Sequence, residues 1–265
     1  MPGPQHSQTS PNPVTTTAFN AGLKCRLKAH FVLHGAGGSL TELGAWTRAA
    51  ADSFRSRASE TLRGQATNPV CDGLPSPRTL KARHYGLILR PVIKHREIHA
   101  ELDALERVTI EGSGYRPVRL VPLEKIGRAE KLLLAFDARA VFRLTGFLPS
   151  TARIVHGAGH RSAIIHLPKL IHAADAHVAA LHLQSSNPES PPLILNKHCP
   201  SCEFELQCRR VALERDDLSL LKTLDEKAGE TRPGGLTRLR SCPTPIAPDG
   251  IPSKDLTEDC GTSLR

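Results

Sequence analysis

Apolar residues return at helical spacing between residues 130 and 145 (EKLLLAFDARAVFRLT), where Leu133, Phe136, Ala140 and Leu144 share a face, and Gly146 is placed to end the helix. Upstream, residues 85–89 (YGLIL) form an apolar run and residues 117–123 (PVRLVPL) read as a strand. The glycines and serine of TIEGSGY, residues 109–115, supply a hairpin turn ahead of that strand. Residues 97–108 (EIHAELDALERV) alternate in places as a strand, although Ile98, Leu102 and Leu105 also fit a helix. Two short β-rich runs, 153–156 and 163–167, flank a glycine-containing stretch and predict a second hairpin. Pro168 then opens a helix running to about Gln184. Strand, strand, helix, strand, strand, helix predicts the α/β class, a mixed sheet flanked by helices.

Outside this core the pattern fades. Residues 1–20 are polar and rich in Pro and Thr and read as a disordered leader; residues 40–58 hint at a helix with sparse apolar positions, and residues 68–78 (NPVCDGLPSPR) read as a linker. Composition agrees, since 39% hydrophobic and 4% aromatic content is low for 265 residues, and the 20 glycines and 21 prolines crowd towards the ends. The expected organisation is a poorly ordered region over 1–80, a core over 81–185, a cysteine-bearing segment over 186–228 and a disordered tail over 229–265. No apolar run approaches the length of a membrane span, and MPGPQHSQTSPNP lacks the basic and apolar regions of a secretory signal, so the expected location is cytoplasmic.

A formal charge of +9 favours an anionic partner such as nucleic acid. Seven cysteines in a cytoplasmic chain point to metal ligation rather than disulfides, and three of them form Cys199-Pro-Ser-Cys202 followed by Cys208. A Cys-x-x-Cys turn can aim two sulfurs at one metal or cluster, and a third on the next helix can close that face. Cys25, Cys71 and His198 are candidates for a fourth ligand, with Cys242 and Cys260 further along. Ligand chemistry by itself favours zinc, held by four cysteines or by three cysteines and a histidine.

The stretch LNKHCPSCEFELQCRRVALERDDLSLL resembles the C-terminal cysteine motif of the RecB-like nucleases, which belong to the PD-(D/E)XK superfamily and are related to CRISPR-associated and AddB-type iron–sulfur nucleases. YRPVRLVPLEK, EKLLLAFDARAV and ARIVHGAGHRS resemble the same family in the same order, over roughly residues 85–227. The resemblance implies a PD-(D/E)XK-like core, DNA as partner, and a [4Fe–4S] cluster on Cys199, Cys202, Cys208 and an N-terminal cysteine, for which Cys25 is the closest match. In relatives a helicase or RNase H-like domain accompanies the module. Here the likeness stops after about Lys227, which implies a truncated or inactive relative.

The family's chemistry places an acidic residue on one strand and an acid-x-Lys pair on the next, the carboxylates holding Mg²⁺ and the lysine orienting water. By resemblance Asp103 and Glu124 bind the metal and Lys125 serves the water. Glu124 and Lys125 are adjacent, so in a regular strand they face opposite sides, and a bulge or the strand end after Pro122 is required. The bland reading of Asp103, Glu106 and Glu124 is solvated surface. Two other classes stay open: a non-catalytic DNA-binding module and a zinc-stabilised interaction module. His34-Gly-Ala-Gly-Gly looks like an oxyanion loop, but no G-x-S-x-G elbow exists to use it. Arg209, Arg210 and Arg215 could meet phosphates or pair with nearby acids.

Overall fold

The computed structural model describes residues 12–108 and 114–221, the side chains of Lys81 and Ala82 excepted. It begins with β1 (Val14–Thr15), α1 (Thr16–Gly22), α2 (Arg26–Leu33) and α3 (Glu42–Gln65). Each helix start is capped: the Thr15 hydroxyl accepts from Ala18 N at 3.0 Å, the Cys25 sulfur from Lys28 N at 3.4 Å, and the Thr41 hydroxyl from Gly44 N at 3.0 Å. The region expected to be poorly ordered thus contains three helices between residues 16 and 65. Its apolar signal is weak because small residues do the filling: Ala18, Ala21 and Ala29 are buried, and Phe19 stacks on Phe136 with ring centroids 4.5 Å apart. The linker expected at 68–78 contains β2 (Val70–Asp72) and the start of α4 (Pro77–Arg83).

After β3 (Leu87–Leu89) and β4 (Val92–Lys94), the stretch that alternated over 97–108 divides into β5 (Ile98–Glu101) and β6 (Ala104–Val108). These belong to different sheets. β5 lies between β1, to which it is parallel, and β4, to which it is antiparallel, whereas β6 pairs antiparallel with β3. Asp103 occupies the step between them.

β7 (Gly114–Val121) runs back along β6, with Ala104 opposite Val118. Of the predicted turn 109–115, residues 109–113 lie outside the described residues. α5 (Arg128–Thr145) crosses over to β8 (Thr151–His156), which pairs parallel with β7, and β9 (Arg161–His166) returns antiparallel to β8. Gly146 adopts φ 75° and its N–H caps Phe142 O at 2.8 Å, the left-handed helix stop its position predicted. α6 (Pro168–Ser186) and α7 (Glu205–Glu214) complete the helices, with a 3₁₀ turn at Cys199–Ser201.

The six-stranded sheet has the order β2-β3-β6-β7-β8-β9 and is mixed. On one face α3 packs Phe54, Ala58 and Leu62, spaced at helical turns, against Leu87, Leu89, Val118, Leu120 and Val155. On the other face α5 is buried almost all round, including Leu134, Ala135, Phe136, Ala138 and Val141, because α1 and α6 cover its far side. The expected α/β class, with a mixed sheet flanked by helices, is what the chain adopts. Among the described residues no helix is long and apolar enough to cross a membrane.

Candidate metal centre and carboxylate site

Residues far apart in sequence meet where α2 begins. Cys25, the N-cap of α2, lines a cavity of about 290 Å³ together with Cys199, Cys202 and Cys208. The C-terminal segment reaches this position through a set of cross-links: Asn196 Nδ2 donates to Lys24 O at 3.1 Å, Ser39 N to Glu203 O at 2.8 Å, the Thr41 hydroxyl to Pro200 O at 2.8 Å, and Lys28 Nζ to Glu203 at 2.6 Å. His198 lines the cavity too, its pKa lowered by burial and then by Lys24. Cys71 does not line it: on β2, its thiol donates to the carbonyls of Asp72 and Gly73. Cys242 and Cys260 lie outside the described residues.

Backbone N–H groups approach two of the cavity sulfurs, from Lys28 to Cys25 at 3.4 Å and from Asn196 to Cys199 at 3.2 Å. A neutral thiol is a weak acceptor, whereas a metal-bound thiolate uses such donors well. Without a cation the group is costly to ionise: burial, and then Cys25, Cys199 and Cys202, push the Cys208 thiol up to about 12. Cys199 and Cys202 are also raised, first by burial. Among the described residues no three His, Cys, Asp or Glu side chains close on one point as single-ion ligands do.

The carboxylate site lies at the end of the β6–β7 pairing. Asp103 Oδ2 accepts from Leu120 N at 2.9 Å, and its carboxylate stands 3.4 Å from Arg55 Nε and 3.9 Å from Arg119 Nη1. Arg119, across β7 from Asp103, is buried and grips Asp137 of α5 with both Nε and Nη2, the latter bond 2.6 Å long. Burial pushes Asp137 up to about 6, against the pull of Arg119. The two carboxylates near this strand thus share a guanidinium.

Glu124 is engaged elsewhere. Beyond the end of β7 and 61% exposed, it accepts from Ala158 N at 2.9 Å and pairs with Arg161, closing the β8–β9 turn. Gly157 has φ 70°, and a Cβ there would stand 2.8 Å from Glu124 Oε2, so glycine serves both the turn and the close approach. Lys125 makes no hydrogen bond or ion pair among the described residues. Asp103 and Glu124 therefore have separate sets of partners. Since Glu124 is a solvated pair member, Glu124→Ala should cost under about 1 kcal/mol by urea denaturation.

Beside Asp103 a cleft of about 490 Å³ is lined by Arg55, Arg57, Arg63 and Arg90, with Ser56, Ser59, Glu60 and Asp72. Asp72 joins Arg63 at 2.8 Å and Arg90 at 3.2 Å. Arg55 lines both this cleft and the cysteine cavity. Of the C-terminal arginines, Arg210 lies 3.9 Å from Glu214, one of the acids expected as a partner, whereas Arg209 lies 3.8 Å from Glu205, which was not expected.

Sequence reading overlooked Arg119, Asp137 and the α3 arginines. A signal for the first two existed: an arginine inside the apolar strand PVRLV and an aspartate on the apolar helix LLLAFDARA are charges at core positions that require each other. No protein-family model matches the chain, and none of the curated proteins does.

Proposed function

We propose that this chain is a DNA-binding module with the architecture of the RecB-like, PD-(D/E)XK-type nucleases, closed by a [4Fe–4S] cluster on Cys25, Cys199, Cys202 and Cys208, and that it binds DNA without cutting it. The observation that carries the reading is the arginine-lined cleft opening beside Asp103. Phosphate contacts from such side chains supply most of the affinity of sequence-independent binding. The meander β3-β6-β7, the crossover α5 and the parallel strand β8 support the architecture. The cavity supports a shared centre, because Cys25 from the start of α2 lines it together with Cys199, Cys202 and Cys208. When bound, the cluster supplies iron–thiolate bonds that join the start of α2 to the C-terminal segment.

The way the acids are used supports binding without cutting. Metal-assisted hydrolysis needs carboxylates free to ligate Mg²⁺. Asp103 is held by a backbone N–H and two arginines, and Glu124 closes a turn. A second reading, the Mg²⁺-dependent deoxyribonuclease, is favoured by the placement of Asp103 at the start of β6 beside β7. It requires Glu124 to leave its turn and join Asp103 on the metal while Lys125 orients water.

Fluorescence anisotropy with labelled single- and double-stranded DNA over a salt series tests the proposal. Arg57→Ala with Arg90→Ala should weaken binding to all sequences alike and flatten the log–log salt slope by about 1 per arginine removed. An unchanged slope would overturn the cleft as the binding face. The protein should leave DNA intact with Mg²⁺; cleavage that disappears in Lys125→Ala would establish the nuclease instead.

A further inference from the structure

The largest exposed apolar side chain among the described residues belongs to the only tryptophan of the chain. Trp46, in the second turn of α3, is 70% exposed, and Leu43 just before it is 50% exposed. The packed sides of α3 leave both in water. Gly44 lies against the 3₁₀ turn, where a Cβ would stand 2.9 Å from Ser201 O, and Phe54, Ala58 and Leu62 face the sheet. Two residues beyond Gly44, Trp46 is turned about 200° from that contact.

Its own face of the helix leads to a cation. At 3.6 residues per turn Trp46, Ala50, Ser53 and Arg57 fall within about 60° of one another, and Arg57 lies about 16 Å along the axis from Trp46. Ala50 and Ser53 are small and exposed, which leaves the strip between the indole and the guanidinium open. Arg57 also lines the cleft beside Asp103. The other arginines there are paired: Arg55 with Asp52 and Asp103, Arg63 with Glu60 and Asp72, and Arg90 with Asp72. Arg57 instead donates to the neutral Ser53 Oγ at 2.7 Å and has no carboxylate partner among the described residues.

We propose that Trp46 is a base-stacking platform and that the exposed face of α3 carries a single DNA strand from the indole to the arginine-lined cleft. This rests on the DNA-binding reading above and names the form of DNA that the site selects. An exposed indole loses apolar surface to water-free contact when a base lies on it, and every base offers a face for such stacking, so the contact is indifferent to sequence. In a duplex those faces are covered by the neighbouring base pairs, so Trp46 favours single strands. Arg57 supplies the phosphate contact further along the same strip.

Because Trp46 is the only tryptophan, the fluorescence of the full chain reports on this one side chain. Titration with single-stranded oligodeoxythymidylate should quench it, and a strand of equal length and backbone charge but without bases should not. By anisotropy, Trp46→Ala should lower the ratio of single-strand to duplex affinity at least about fivefold, and Trp46→Phe, which keeps an aromatic ring, should restore most of it. The salt slope for single strands should stay that of the wild type, since stacking releases no counterions. An unchanged ratio in Trp46→Ala, or equal quenching by the strand without bases, would overturn the platform. Fluorescence that changes with protein concentration in the absence of DNA would also overturn it, by assigning Trp46 to a contact between two copies. A wild-type chain that binds neither single strands nor duplex would instead overturn the DNA-binding reading beneath, which separates the two failures.

Discussion

Anaerobically purified Cys199→Ser protein should be colourless, contain neither iron nor sulfide in stoichiometric amount, and melt at least about 10 °C below the wild type. The size of the effect follows from topology. A link between Cys25 and Cys199 closes a loop of well over 100 residues, and a cross-link of that span removes ~5 kcal/mol of unfolded-chain entropy. For a chain of this size each kcal/mol moves the midpoint by ~2–4 °C. Cys25→Ser should behave in the same way, because the N-terminal cysteine lines the cavity with the other three. Two controls make the result specific. Cys71→Ser should keep its iron, as that thiol is turned to the backbone of Asp72 and Gly73. His198→Ala should keep it too, whereas zinc retention that depends on His198 would convert the centre into a zinc site of three cysteines and one histidine. An unaltered melt and metal content in Cys199→Ser would remove the centre altogether.

What the sequence disclosed about this molecule was whatever is encoded locally. The 128–145 helix shows its apolar face and its glycine stop within one window, and the hairpin of β8 and β9 is equally self-contained. The cysteine spacing is local as well. The N-terminal helices were hidden because their buried positions are filled by Ala18, Ala21 and Ala29, which carry little hydrophobic signal, and their packing depends on α5 and α6. The division between β5 and β6 was invisible for another reason. Ile98 and Ala104 look like members of one alternating run, yet the first pairs with Val14 and the second with Val118, and only long-range pairing separates them. The carboxylate site suffered from attention to negative charge alone. Asp103 lies at the strand junction, but the charges beside it are cations from other segments, Arg55 at 3.4 Å and, buried in the core, Arg119 at 3.9 Å.

The buried cation gives the last large effect. Asp137→Leu should destabilise the protein by ~3–5 kcal/mol, the cost of leaving a buried charge without its partner, since Asp103 stands 3.9 Å from Arg119 Nη1 and cannot replace the two bonds that Asp137 accepts. Arg119→Met should cost a comparable amount by stranding Asp137. The double variant Arg119→Met/Asp137→Leu should be far less harmed than the sum of the singles, because apolar groups of similar volume remove both desolvation costs together. The pH dependence has a defined sign. Burial pushes Asp137 up to about 6, above its usual 3.8. The folded state therefore binds more protons than the unfolded state between pH 4 and 6, and this group's cost is fully present above pH 6 and fades as pH falls towards 4. Relative to wild type, the double variant should accordingly do best above pH 6 and lose ground as the solution is acidified, which urea midpoints at pH 4, 5, 6 and 7 would measure. An advantage that grows on acidification would mean that Asp137 is held below its usual range, with Arg119 outweighing burial. DNA affinity at pH 7 should survive the double substitution, because Arg119 is in the core on the α5 side and the cleft arginines are untouched. Binding lost in a folded double variant would instead make the buried guanidinium part of the DNA site.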